Sequence, residues 1–228
     1  STREAFDMTD ETTGTKATRI PDYMFYKSLN VEKINLSTVE VVGSNSFYMC
    51  PYITEINLPN ATELKSSAFN ASSRSLVSPA SMVINLPSVI TLNDSALREM
   101  GYAGVNTTLT LTACETVSAN SVRGASGRYF VIDTLDLPAV KTIGQECLNY
   151  HQFTNVIIGT SCASIASKPF NYCTITNLTV KATTPPTLNA NGLGCTPTHI
   201  YVPADSVATY KAASTWSTYA SIIEAIPT

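Results

Sequence analysis

A short phrase recurs along most of the chain: an apolar residue, one middle residue, a second apolar residue, and often proline. It reads Ile34-Asn35-Leu36, Ile56-Asn57-Leu58-Pro59, Ile84-Asn85-Leu86-Pro87, Leu109-Thr110-Leu111, Leu135-Asp136-Leu137-Pro138, Val156-Ile157-Ile158, Leu178-Thr179-Val180 and Ile200-Tyr201-Val202-Pro203. With the last apolar residue of each as a marker, successive steps are 22, 28, 25, 26, 21, 22 and 22 residues. A period in the twenties predicts a stacked solenoid, in which each unit buries its apolar face only against its neighbours. Specificity in such a scaffold lies on its exposed face.

The phase of the repeat predicts which residues are buried. Three residues after the marker come Val39, Ala61, Val89, Cys114 and Val140. Six after it come Val42, Leu64, Leu92, Val117 and Ile143, and eleven after it Phe47, Phe69, Leu97, Val122 and Leu148. The sixth repeat carries one extra residue, which puts Phe170 at the same anchor slot. The longer steps predict insertions in the return segments, such as Ser72–Ser75 and Gly124–Gly127. Ile20 and Phe25 keep the phase of Val42 and Phe47, so the repeat begins before Leu36. The expected organisation is one domain: residues 1–30 as an N-terminal cap or truncated repeat, 31–203 as the solenoid, and 204–228 as a C-terminal cap. That cap reads as a short helix with Asp205 as its N-cap, followed by Trp216, Tyr219, Ile222 and Ile223 at helical spacing. Trp216 is expected to be a lid over the last layer rather than a ligand platform.

Side chains alternate along a strand, so the middle residue of each phrase faces outward. A second outward column lies two residues earlier: Lys33, Glu55, Val83, Thr108, Thr134, Asn155, Asn177 and His199. Eight such strands in one parallel sheet would extend about 34 Å. Asn35, Asn57 and Asn85 form the most specific exposed pattern, read as an amide ladder that ties the strands together. Apolar and aromatic residues enter the outward columns only toward the C-terminus. The candidate binding residues are therefore Asn155, Ile157, Asn177, Thr179, His199 and Tyr201, with Asn57 and Tyr201 expected to be exposed.

Charged residues are only 14% of the 228, with a net charge of −3, so there is no electrostatic footprint for nucleic acid. No apolar run approaches the roughly 20 residues needed to cross a bilayer, so membrane insertion of this segment is not expected. The first residues lack signal-peptide features and read as an interior point of a longer or processed chain. Six cysteines occupy inward or turn positions and are expected to be buried free thiols; no CxxC pair indicates zinc. No nucleotide, hydrolase or metalloprotease motif occurs, so neither a cofactor nor catalysis is expected. Cys147 and His151 could pair as thiolate and imidazole. The position of Cys147 beside the anchor Leu148 favours packing instead. Asp94, Glu99, Asp133 and Asp136 have no spacing that pairs them. Six Asn-x-Ser/Thr sequons (at Asn35, Asn60, Asn70, Asn93, Asn106 and Asn177) follow from a composition rich in these residues.

The order I-x-L-P, V-x-x-I-G, A-F-x-x-C resembles the BspA-type leucine-rich repeat family of bacterial surface proteins. Val140-Lys141-Thr142-Ile143-Gly144, Ala68-Phe69, Phe47-Tyr48-Met49-Cys50 and Phe170-Asn171-Tyr172-Cys173 carry the resemblance, together with the tail from Ile200 to Trp216. It implies a leucine-rich-repeat solenoid, mostly β with irregular or 3-10 return segments, a parallel sheet of about eight strands and a short capping helix. It also implies an extracellular or bacterial cell-surface location and a non-enzymatic role in adhesion or recognition of a host protein or glycan. Similar repeats occur on phage tail appendages, so a structural or receptor-contact component of such an appendage is an alternative. An accessory binding domain of a larger secreted protein is another.

Overall fold

The computed structural model describes residues 17–71 and 79–228. The strands, in chain order, are β1 (Arg19–Ile20), β2 (Lys33–Asn35), β3 (Val41–Val42), β4 (Glu55–Asn57), β5 (Glu63–Leu64), β6 (Met82–Asn85), β7 (Thr91–Leu92), β8 (Thr107–Thr110) and β9 (Thr116–Val117). They continue with β10 (Val131–Leu137), β11 (Thr142–Ile143), β12 (Gln152–Ile158), β13 (Ser164–Ile165), β14 (Thr174–Val180), β15 (Thr187–Leu188), β16 (His199–Val202) and β17 (Ile223–Ala225). The result is a parallel solenoid, mostly sheet, with one short C-terminal helix, α1 (Val207–Ala212).

Each turn contributes two strands to two different rows. The even-numbered strands are the I-x-L phrases. The odd-numbered strands from β1 to β15 are the two-residue segments at the second aliphatic slot, and they form one continuous eight-stranded sheet. All fifteen inward positions predicted from the phase are buried, as is Phe170. Phe25, Phe47 and Phe69 stack in a column with ring centroids 4.9 Å apart at both steps.

The I-x-L row is not one sheet. It divides into a four-stranded sheet, β2-β4-β6-β8, and a five-stranded sheet, β10-β12-β14-β16-β17. Only an isolated bridge, Asn106 to Val131, joins them. In the first sheet Leu36, Leu58 and Leu86 each donate their N–H to a carbonyl in the next turn, at 3.1, 3.0 and 3.1 Å. The corresponding bond from Leu111 to β10 is missing. The cause lies in the inserted residues. Gly101 packs so closely on the Tyr129 backbone that a Cβ there would approach its carbonyl carbon to 2.2 Å. Residues 125–128 close a tight turn, with Ala125 and Arg128 exchanging backbone bonds of 2.8 and 2.9 Å. Both features lie in the segments that lead into β8 and β10, where the second sheet departs from the first. The insertion expected at Ser72–Ser75 lies outside the described residues.

The return segments run as successive turns, with i→i+3 bonds such as Tyr48 N–H to Asn45 O at 3.2 Å and Cys50 N–H to Phe47 O at 3.3 Å. Residues two before and two after an anchor adopt left-handed backbone: Tyr23 and Lys27 around Phe25, Asn45 and Met49 around Phe47, Glu146 and Tyr150 around Leu148, Lys168 and Tyr172 around Phe170. That alternation points every second N–H along the solenoid axis. Asn45, Phe47 and Met49 thus donate to Ser66, Ala68 and Asn70 at 3.2, 2.8 and 2.8 Å. Glu146, Leu148 and Tyr150 donate in the same way to Ser167, Pro169 and Asn171. Left-handed backbone costs an L-residue roughly 1–2 kcal/mol, offset here by a third inter-turn ladder.

At the C-terminus the capping helix forms, but Asp205 is not its N-cap. A 3-10 turn (Ala204–Ser206) precedes α1, and no side chain caps either element. Trp216 is buried as the lid, its Nε1–H donating to Pro186 O at 2.8 Å, while the Tyr210 hydroxyl donates to Ala182 O at 2.8 Å. Trp216 to Ile222 form a 3-10 helix, and the chain then returns as β17 beside β16. Helical spacing alone hid that strand.

Phe69→Ala is expected to cost about 3–5 kcal/mol, because it empties a slot within the ring column. Asn57→Ala should cost about 1 kcal/mol, because water can replace amide bonds at a half-buried site. Urea melts of the two variants check the order; equal losses would contradict the inward assignment.

Candidate binding face and its chemistry

The six candidate residues come together as a two-by-three array on β12, β14 and β16. Asn155, Asn177 and His199 share one register row, and Ile157, Thr179 and Tyr201 the next. All six are half-buried, and so is Asn57; neither Asn57 nor Tyr201 is exposed as expected. Close cross-strand packing explains the difference, since each side chain is covered by its neighbours one strand away.

The two asparagines in the array are committed to the scaffold. Asn177 Nδ2 donates to Asn155 Oδ1 at 2.9 Å, and Asn155 Nδ2 donates to the Thr134 hydroxyl at 3.3 Å. This repeats the expected ladder, where Asn57 donates to Asn35 and Asn85 to Asn57, both at 2.8 Å. What remains for contact is Ile157, Thr179 and the His199–Tyr201 pair. The last two rings stack 5.6 Å apart at an interplanar angle of 7°. β16 is not the last strand of the sheet, because β17 pairs with it from Ile200 to Val202. Through β17 the sheet adds Glu224, in register with Tyr201, and His199 Nδ1 lies 3.4 Å from its Oε1. At the opposite side Asp136 is in register with Ile157. Among the outward columns of the described residues the one lysine, Lys33, is paired with Glu55 at 3.2 Å. The face is therefore acidic around an aliphatic and aromatic centre. Glu224 escaped the sequence reading because it sits outside the repeat; no periodic signal marks it.

Cys147 and His151 are both buried, but the histidine is held by other groups. Its Nδ1 accepts from Phe130 N–H at 3.0 Å, and its Nε2–H donates to Val122 O, so both ring nitrogens are used by one neutral tautomer. His151 stands fourteen residues after its marker, as Cys50 does, and both serve the same purpose. Cys50 Sγ donates to Phe25 O at 3.0 Å, and Cys173 Sγ to Leu148 O at 2.8 Å. In each case a side chain three residues past one anchor satisfies the carbonyl of the anchor before it. Gly124 makes room for this histidine: a Cβ there would lie 3.0 Å from its Cε1 and 2.8 Å from Arg128 O.

The cysteines are free thiols, four buried and two (Cys173 and Cys195) half-buried. Burial pushes Cys114 and Cys162 up to about 11 and Cys195 up to about 12, and raises Cys147 and Cys173 as well. These five are thiols at neutral pH and not activated nucleophiles. No group of three or more potential metal ligands occurs among the described residues. No helix among them is long and apolar enough to cross a membrane.

The model of the BspA type leucine rich repeat region matches six copies in this chain, over residues 8–121 and 128–190. The chain belongs to the BspA-type leucine-rich repeat family. The break in the BspA-type match, at residues 122–127, falls on the inserted turn that separates the two sheets. Among solved structures, a leucine-rich repeat protein from Bacteroides ovatus is similar at 14% identity and a TM-score of 0.34. The match covers 82% of this chain, which spans 59% of that one. No curated protein matches the sequence.

Burial lowers the His151 pKa from 6.5 to about 4. The unfolded chain therefore takes up this proton first, and the stability from neutral His151 is complete above pH 6.5 and lost as pH falls toward 4. The difference amounts to roughly 3 kcal/mol. His151→Phe should be less stable at pH 7 and should melt with a flatter pH slope across that window. Parallel slopes for the two proteins would contradict a buried neutral histidine.

Proposed function

We propose that this chain is a non-enzymatic recognition module, displayed outside the cell, that binds a protein partner through the outward face of β12, β14 and β16. The observation that carries the reading is the half-buried centre of Ile157, Thr179, His199 and Tyr201 set between Asp136 and Glu224. A partially covered aliphatic and aromatic patch with a charged rim has the composition of an interface core, since aromatic anchors in a desolvated centre dominate binding energy. Carboxylates on opposite sides and no free lysine in the outward columns favour a partner whose Lys or Arg residues flank an apolar stretch. The stacked ladders hold these side chains rigidly, so little ordering entropy is lost on contact.

The chemistry agrees with binding rather than turnover. The buried histidine spends both nitrogens on backbone groups, and burial keeps the neighbouring Cys147 a thiol. A repeat scaffold of the BspA type supports the surface location and the adhesive role.

Surface plasmon resonance against a panel of purified extracellular-matrix proteins tests this reading. The expected result is binding by at least one of them, weakened more than about tenfold by Tyr201→Ala and at elevated salt, with Asn57→Ala unchanged. Binding indifferent to Tyr201→Ala and Ile157→Ser, or no binding across the panel, would refute the assignment.

A further inference from the structure

The step between the two I-x-L sheets opens a cleft of about 580 Å³. Its position follows from strand length. β6 and β8 have four residues, whereas β10, β12 and β14 have seven. The extra N-terminal residues bend away from the rest: the register passes from Ile132–Phe153 to Thr134–Asn155, leaving Asp133 and Thr154 unpaired at the bend. They make a flange facing the shorter strands across the gap. Val83, Asn106 and Thr108 line one wall, and Asp133, Gln152 and Thr154 the other, with Thr174 beyond. Buried Ile132 and Phe153 close the cleft from the core.

Two features set this cleft apart from the ladder face. The first is unspent hydrogen bonding. One to three residues further along the same strands, Thr134, Asn155 and Asn177 bond to one another. Asn106, Thr108, Gln152, Thr154 and Thr174 are free of side-chain bonds to the rest of the described chain, and Asp133 accepts only from the Thr134 hydroxyl. The second is the kind of group present: hydroxyls, carboxamides and one carboxylate, no cation, and a single exposed aliphatic side chain, Val83 at 38% exposure. Hydroxyls and carboxamides both donate and accept, which suits a ligand whose own groups do both. A peptide side chain would find one exposed aliphatic group, Val83, to anchor on, and an anion would face Asp133 with no compensating charge.

We propose that this cleft is a saccharide site, taking a neutral oligosaccharide whose hydroxyls exchange hydrogen bonds with Gln152, Thr154, Thr108 and Asn106. Asp133 accepts from adjacent hydroxyls, and Val83 supports the apolar face of a ring. The volume falls in the roughly 300–1,000 Å³ range of small-ligand sites. This site shares no residue with the protein-binding face proposed above, so either can stand without the other.

The test is titration calorimetry of the whole chain with cello-, xylo-, manno- and maltohexaose, and with polygalacturonate as the acidic comparator. The expected result is saturable binding of at least one neutral hexaose. The double substitution Gln152→Ala/Thr154→Ala should weaken it at least about tenfold, with an unchanged thermal melt because both side chains are exposed. Tyr201→Ala should leave it unchanged. The proposal is overturned if no hexaose binds, if the double variant binds as well as the parent, if polygalacturonate binds as tightly, or if Tyr201→Ala abolishes binding.

Discussion

The inter-turn hydrogen bonds of the return segments hold the rest of this structure in place. A strand pairs with its neighbours without local strain, but a chain that must turn back every 21 to 28 residues has to satisfy its corner amides as well. This protein does so by alternating backbone handedness on either side of each anchor, which aims the N–H groups of residues such as Asn45, Phe47 and Met49 at the next turn. The anchor ring is thereby fixed above the ring of the preceding turn. Its carbonyl then needs a donor, supplied by Cys50, His151 or Cys173. A cysteine at that slot is thus both a small hydrophobe and a hydrogen-bond donor, and this explains why a histidine can replace it.

The inward positions three, six and eleven residues after each marker were legible in the sequence, because they obey one phase and only apolar side chains or cysteine fill them. The amide ladder at Asn35, Asn57 and Asn85 was legible for the same reason. Three features were not. Left-handed backbone at Tyr23, Met49 or Glu146 leaves no residue signature, since the ladder rather than glycine compensates for it. β17 lies after the last repeat, where Ile222 and Ile223 suit a helix or a strand equally. The step between β8 and β10 arises from contacts between insertions around Gly101 and Tyr129, which periodicity does not register.

These same exceptions bear most directly on function. Regular repeats give a chemically uniform face whose polar groups bond to one another. Where β17 adds Glu224 beside Tyr201, the face gains a charged rim. Where the insertions part the two sheets, hydroxyls and carboxamides lose ladder partners and line a cleft. On the reading proposed here, recognition chemistry accumulates where the repeat is broken, and the intact ladders supply rigidity to both places.

Amide hydrogen exchange resolved to single residues tests the central claim most directly. Slow exchange is predicted for the N–H groups of Phe47, Phe69, Leu148 and Phe170 in the return segments, comparable to that of Ile56 and Val156 in the strands. Exchange of those anchor amides at the rate of an open loop, with only the strand amides protected, would contradict a ladder running through the corners.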